Sequence, residues 1–336
     1  LSRFAKIIGL TRKRHQAVIE CASGARFPRS GISSRHGRLH DARTPEIPVL
    51  IIYNPTAGRR RAHRLWRVLD VMVANGVRVE LAETRHAGHA LELSREAAER
   101  GARLVVAAGG DGTIAEVANG LNGSGCRLGI IPLGTANVLA HELALPFDPV
   151  GVAAALAFGR TRTVWPGVAT GADGSRVFVQ MLGAGFDAQV VQRLPLPLKR
   201  ALGRGAYVAQ SMRELVRYRF RPIRVTVDGH DTEAGTVIVS KGHFYGGCYL
   251  LAPGASPVDR GFTVALFDRA GPFSAMAFGA ALPLNLIPKM PGLRLIRAHE
   301  IRITTAAVPA QTDGDPAGVG PLSIRDAARS IEVVVG

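Results

Sequence analysis

Three short turns and one acidic pair carry the residue types that chemistry needs. Gly109-Gly110-Asp111-Gly112-Thr113 follows the apolar run Leu104-Val105-Val106-Ala107-Ala108, and apolar residues then recur at Ile114, Val117, Ala118 and Leu121. The pattern predicts a buried strand, a glycine turn and a helix over 113–121. With no side chains to crowd it, such a turn aims backbone N–H groups at a phosphate, and the helix N-terminus adds partial positive charge at the same point. Asp111 is out of place in a bare anion site. It suits a site that also handles Mg²⁺ or a reacting hydroxyl.

Asn54-Pro55-Thr56-Ala57-Gly58 and Pro132-Leu133-Gly134-Thr135-Ala136-Asn137 are two further turns, each behind an apolar run. Together the three offer amides, hydroxyls and small residues, which is what a polyphosphate cradle requires. Tight helix–sheet packing is the plainer use of the same glycines. Far down the chain, Gln311-Thr312-Asp313-Gly314-Asp315 sets two carboxylates around a glycine. A hydroxyl that ionises only far above neutrality needs a positioned base, and one carboxylate oriented by another supplies it. An Asp-Gly turn between two strands is the alternative reading.

The elements around these turns follow a simple grammar. Val49 to Tyr53 reads as a buried strand, residues 60–75 as a helix, 77–81 as a strand and 87–100 as a helix capped by Gly101. The strand and helix around Gly109–Thr113 come next, then a strand at 128–131 and a helix at 136–143. Fully apolar strands alternating with helices predict a doubly wound parallel sheet, in which ligands bind at the carboxyl ends of the strands. There is no GxxxxGK[ST] element and no GxGxxG behind a strand, which excludes a P-loop and a conventional dinucleotide fold. Beyond Pro149 short strands dominate, at 177–181, 223–227, 236–240, 262–267, 301–305 and 331–335, with a helical excursion over 196–218. That suits an antiparallel β-sandwich. The expected division is a basic, disordered tail over 1–48, an α/β nucleotide-binding domain over 49–149 and a β-sandwich substrate domain over 150–336.

The chain has 336 residues, 47% of them hydrophobic and 20% charged, with a formal charge of +16. The proportions fit a folded soluble protein, and the charge calls for an anionic partner surface, nucleic acid or acidic lipid. Aromatic residues are only 6% and form no stacking cluster, which turns the reading away from nucleic acid. Cys21, Cys126 and Cys248 match no zinc or paired spacing, as in a reducing compartment. Residues 273–287 form the longest apolar stretch; Pro283 and Asn285 interrupt it, so it reads as a core helix or a segment that touches a membrane. Arg59, Arg60 and Arg61 open a helix against its dipole, and Lys199, Arg200 and Arg204 flank the apolar run 194–202, a basic-hydrophobic pattern that suits a bilayer.

NPTAG, Thr84 with Ala87-Gly88-His89-Ala90, AAGGDGTIAEVANGL, LGIIPLGTANVLAHEL, GAGFDAQV from Gly183, residues 203–207, YGGCYLLAPGASPVDRGF from Tyr245 and QTDGDP from Gln311 occur in that order. The ordered set resembles the diacylglycerol kinase catalytic-domain family, in particular its soluble bacterial lipid kinases, which are also similar to sphingosine kinases. GGDGT alone occurs in NAD kinases too; the ordered set is far more specific. The resemblance spans Val49 to the C-terminus and implies a two-domain, ATP- and Mg²⁺-dependent kinase. It implies nucleotide contacts at Asn54, Pro55, Thr56, Gly58, Thr84, Gly109, Gly110, Gly112, Thr113, Gly134 and Thr135, with catalysis by Asp315, Asp313 and Asp111. Thr84 also reads as a helix cap, and Glu116, Asn119 and Asn137 as ligands or as structural hydrogen bonders.

Three departures from the family pattern stand out. Asp315 replaces the usual Glu, Val138 replaces an Asp found in many relatives, and Asp259-Arg260-Gly261 replaces Asp-Asp-Gly. The family holds a structural Mg²⁺ at the last motif through an Asp and neighbouring carbonyls, which leaves Asp259 as the candidate metal ligand, or as part of a surface turn. The resemblance implies conversion of diacylglycerol to phosphatidic acid by a cytoplasmic enzyme held at the anionic inner face of the membrane. A sphingoid-base or ceramide kinase, an NAD-kinase-like enzyme and a non-catalytic membrane-binding relative are the alternatives. No nucleic-acid partner is expected, and the sequence leaves a homodimer open.

Overall fold

The computed structural model describes residues 48–57, 61–195, 198 and 203–336. The expected basic tail lies outside the described residues save its last position, as do Gly58, Arg59, Arg60, Lys199, Arg200 and the side chain of Arg204. Residues from Ile47 onward form a single unit.

The alternating grammar of the first half gives β1 (Val49–Tyr53), α1 (Ala62–Ala74), β2 (Val79–Glu83), α2 (His89–Glu99), β3 (Leu104–Gly109), α3 (Asp111–Leu121), β4 (Arg127–Pro132), α4 (Val138–Glu142) and α5 (Pro149–Phe158). β1 pairs in parallel with β2 and β3, and β3 with β4. Helices cover both faces, so successive residues of one strand enter different cores. Leu50 and Ile52 pack with Ile114 and Val117 of α3, whereas Ile51 and Tyr53 pack with Leu65 and Met72 of α1. The strand order, β2-β1-β3-β4, reverses between β1 and β3. A crevice at the carboxyl ends therefore opens where two of the expected turns emerge.

That sheet does not end at Pro149. The C-terminal strand Ile331–Val335 pairs in parallel with β4, and β5 (Arg160–Val164) runs antiparallel to it. The sequence reading put 331–335 in the sandwich. Ile331, Val333, Val334 and Val335 are all buried, so the strand is apolar on both faces and suits a slot lined on two sides.

The second half holds two six-stranded sheets with antiparallel pairing throughout, facing each other across a core that includes Phe178, Leu182, Val237, Val264, Ile301 and Ile324. Thr236–Ser240, Phe262–Phe267 and Ile223–Val227 fall where the sequence places them. The strand expected over 177–181 is instead two, Gly174–Phe178 in one sheet and Met181–Ala184 in the other. The chain changes sheets between them and leaves backbone amides without a ladder partner. The lobe also carries α6 (Phe186–Gln192), α7 (Arg204–Arg217) and α8 (Pro272–Ala281). The apolar stretch over 273–287 is thus α8 and two short 3₁₀ turns. No helix among the described residues is long and apolar enough to cross a membrane.

Candidate active site

Adjacent strands bring the three turns together, and side chains lock them to one another. Leu133 N and Gly134 N both donate to Gly109 O, at 2.9 and 3.0 Å. The turns approach so closely that a Cβ on Gly134 would lie 2.4 Å from Gly110 Cα, so glycine is required by contact rather than by dihedral angle. Asp111 opens α3, and its carboxylate reaches the next turn, where Asn137 N (2.9 Å) and Val138 N (2.6 Å) donate to its two oxygens. It therefore caps α4 from outside, on the charge-favoured side of that helix. Asn137, in the left-handed region at φ 48°, turns its Nδ2 to Gly134 O at 2.8 Å. The Arg61 guanidinium donates to the same carbonyl.

The first turn is built on Asn54. Its Oδ1 accepts from Thr56 N (3.0 Å), Thr56 Oγ1 (2.8 Å) and Ala57 N (3.3 Å). Its Nδ2 donates to Thr113 Oγ1 at 3.1 Å, tying the first turn to the second. Thr84 follows β2 at the same end of the sheet, and its N–H donates to Tyr53 O at 2.9 Å. Glu116, one turn into α3, accepts from Gly88 N (2.9 Å) and Ala90 N (3.1 Å), and Asn119 Nδ2 donates to Val177 O (3.2 Å). Glu116, Asn119 and Asn137, open as ligands or structural bonders in the sequence, make structural bonds.

The acidic turn comes from the other lobe. Strands Pro309–Thr312 and Asp315–Val319 form a hairpin in which Thr312 pairs with Asp315, so the loop is Asp313-Gly314 alone. Both residues have positive φ, 50° and 82°, as a tight two-residue turn requires. The Asp-Gly turn and the acid site are thus the same feature. Asp313 is buried and points back into the protein. Val179 N (2.8 Å), Gln180 N (2.9 Å) and Met181 N (2.9 Å) all donate to it. These are the amides freed where the chain changes sheets. Burial pushes the Asp313 carboxyl up to about 6, the three N–H donors pull against that, and the Asp111 carboxylate adds to the rise.

Asp315 faces the other way. Its Oδ2 stands 2.7 Å from the place a Cβ on Gly112 would occupy, so the carboxylate rests on the start of α3. The expected catalytic residues therefore converge, but they divide the work. Asp315 lies at the crevice, Asp111 aligns the second and third turns, and Asp313 braces the loop that carries Asp315. Asp313, expected to assist Asp315, has both oxygens held by backbone amides.

The rest of that support uses two residues inside the family motifs, Gln311 and Asp187, and one whose part the sequence did not mark, Tyr245. Gln311 Oε1 accepts from Gly314 N (2.8 Å), and its Nε2 donates to Asp187 Oδ2 (2.9 Å). The Tyr245 hydroxyl donates to Asp187 Oδ1. Burial raises the pKa of Asp187 and, with the Asp187 carboxylate, lifts that of Tyr245 well above its ordinary value. A Cβ on Gly183 would lie 2.0 Å from Asp187 Oδ2, which explains the glycine at position 183. A second link joins the lobes: Glu142, at the end of α4, accepts from Phe244 N (2.7 Å) and pairs with His243 Nδ1 (2.8 Å). Glu142 and His243 are a hundred residues apart, and nothing local marks them as partners.

Residues 48–168 match the family described as the diacylglycerol kinase catalytic domain, and residues 180–335 match the YegS C-terminal NAD kinase beta sandwich-like domain. A diacylglycerol kinase from Bacillus subtilis is 35% identical over 230 residues, which cover 66% of this chain and 73% of that protein. The chain belongs to the diacylglycerol kinase family. A YegS-like lipid kinase from Chromohalobacter salexigens is 34% identical over 227 residues, covering 61% of this chain and 70% of the relative. A crystal structure of a diacylglycerol kinase from Bacillus anthracis shares the fold, with a TM-score of 0.66 at 21% identity over 88% of this chain and 98% of the other. This member of the family is a kinase of the lipid-kinase class.

The main-chain oxygen of Asp259, the expected metal ligand, is already engaged. The oxygens behind Asp259 do not make a vacant metal site, because Asp259 O (3.1 Å), Gly261 O (2.8 Å) and Asp326 Oδ1 (2.9 Å) all accept from the buried Lys241 ammonium. A divalent ion does not fit where an ammonium already uses the donor set.

Proposed function

We propose that this chain transfers the γ-phosphoryl group of ATP to the hydroxyl of a membrane lipid, with diacylglycerol giving phosphatidic acid as the simplest case. The observation that carries the reading is the Asp315 carboxylate set against Gly112 at the start of α3, beside three interlocked turns. Amides of the Gly110–Thr113 turn hold the phosphates, the α3 N-terminus favours their charge, and the Asn54–Ala57 and Pro132–Asn137 turns wall the site on either side. Asp315 accepts the lipid hydroxyl proton as the oxygen attacks the γ-phosphorus and the bond to the β,γ-bridging oxygen breaks. Asp111, which keeps lone pairs beyond its two amide bonds, and Asp315 would be the residues to hold Mg²⁺ brought with the triphosphate, and the ion would offset charge on the phosphoryl oxygens. Labelled ATP supplied with mixed micelles of diacylglycerol, ceramide or sphingosine, and with NAD as a soluble acceptor, tests the reading. Phosphatidic acid as the main product supports it. Labelled NADP, or no labelled product in any arm, overturns it.

An anionic membrane surface is the partner this reading requires. Along α7, Val208, Met212 and Val216 are 61%, 53% and 88% exposed at four-residue spacing, and Phe273 of α8 is 85% exposed. Arg213, Arg217, Arg219 and Arg221 stand exposed beside them. A quarter-turn or so round α7 from Val208 of that stripe stands Tyr207, whose hydroxyl lies near Gly314 of the acidic turn. A helix with apolar residues and arginines outward, and the acidic turn beside it, suits docking at anionic lipid. Sedimentation with phosphatidylglycerol vesicles, lost in Met212→Asp/Val216→Asp and absent with phosphatidylcholine, is the expected result. Equal binding by the double variant would remove this face from the account.

A further inference from the structure

The cage around Lys241 is complete. The side chain is fully buried, and its three N–H donors meet three oxygens: two main-chain carbonyls, of Asp259 and Gly261, and Asp326 Oδ1. The Phe262 ring adds a fourth wall, 4.7 Å from Nζ to the centroid. Asp326 is held in turn, its Oδ2 accepting from Gly261 N at 2.7 Å. Arg260, which replaces the second acid of the family motif, does not compete for these oxygens. Its guanidinium lies over the Trp165 ring, 3.8 Å from the centroid.

We infer that Lys241 is the resident cation of this site, and that its ammonium does here what a structural divalent ion does where the family motif keeps both acids. A second positive charge in the same cage would meet strong repulsion at low dielectric. The ammonium joins three pieces of chain: the end of Thr236–Ser240 in one sheet, the turn over 259–261, and Asp326 in the other sheet. The site also adjoins the catalytic supports. Lys241 N donates to Gln180 O at 2.7 Å, and Gln180 N is one of the three donors to Asp313. Two and three residues further on, His243 and Phe244 bind Glu142 at the end of α4. A covalently attached cation cannot be chelated or diluted away. The alignment of acidic turn and phosphate turns is therefore independent of divalent-ion supply, and any Mg²⁺ requirement comes from the nucleotide alone. This inference concerns the fold and stands whichever lipid is the substrate.

Mn²⁺ titration of the full chain without nucleotide, followed by electron paramagnetic resonance, tests it. The expected result is no saturable tight site and a Tm unmoved by EDTA. One tightly bound Mn²⁺ per chain, lost in Asp326→Asn, would overturn the inference. Reductive methylation supplies a second measurement: exposed Lys289 is labelled and Lys241 is protected until the chain unfolds, whereas equal labelling of the two contradicts the cage. Lys241→Met, which leaves Asp326 without its counter-charge, lowers Tm by on the order of 10 °C. Should that variant fail to fold, the Mn²⁺ and labelling results on the unaltered chain decide.

Discussion

Asp315 and Gly112, from opposite lobes, share one small volume: an added Cβ on Gly112 would sit 2.7 Å from Asp315 Oδ2. Gly112 lies inside α3, where alanine favours the helix by roughly 0.5–1 kcal/mol. Gly112→Ala therefore separates stability from activity. The expected outcome is a Tm equal to or above that of the parent, with kcat/KM lower by about 10²-fold because the carboxylate is displaced. Calorimetry beside a steady-state kinase assay checks both halves. Unchanged activity would show that Asp315 need not lie against α3.

Asp315→Asn keeps the size of the side chain and removes the base. Phosphoryl transfer falls by about 10² to 10⁴-fold, while nucleotide affinity stays within a few-fold of the parent. Equilibrium binding of a non-hydrolysable ATP analogue, measured with kcat, separates the two effects. A matched loss in both would assign Asp315 to nucleotide binding instead.

Asp313 gives a pH signature in stability. Its pKa of about 6 in the folded protein exceeds the ordinary 3.8, so the folded state binds the proton more tightly than the unfolded chain. Stability contributed by the protonated carboxyl is present below about 4 and is lost as pH rises to about 6, by roughly 3 kcal/mol in all. Asp313→Asn removes that slope. It also sets an amide NH₂ against backbone donors, so the variant is less stable at every pH. Tm measured from pH 4 to 8 on both proteins is the test, and parallel curves would refute the assignment.

Gly134→Ala attacks the cradle. The new methyl would stand 2.4 Å from Gly110 Cα, and backbone cannot swing aside as a side chain can. The expected cost is about 1–3 kcal/mol of stability together with a large rise in KM for ATP. Denaturant unfolding and nucleotide titration measure the two separately. A variant that binds ATP normally would mean the two turns do not need contact.

The sequence made the elements legible where burial is two-sided or strictly alternating. Val49–Tyr53, Ile223–Val227, Thr236–Ser240 and Phe262–Phe267 are apolar enough to announce themselves. Arg160–Val164 went unseen because it is an edge strand with four of five residues exposed, and edge strands need no apolar face. Ile331–Val335 was visible as a strand but assigned to the wrong sheet, since local pattern fixes a strand and not its neighbours. The three turns and Asp315 were readable because their chemistry is local. The supports were not. Asp313 is held by amides more than a hundred residues upstream, Glu142 by the backbone of Phe244, and Lys241 is a lone lysine in an apolar context until Asp326 arrives beside it.

The placement of Ile331–Val335 beside β4 has a consequence for how the chain is made. A ribosome delivers β1 to β4 before the sandwich, yet their sheet keeps an open flank until Ile331–Val335 has been made. Throughout synthesis of the sandwich, the parallel sheet waits with β4 uncovered, a ready partner for any stray strand. Loss of Ile331–Val335 would therefore be felt first in the sheet of β1 to β4, two hundred residues or so upstream.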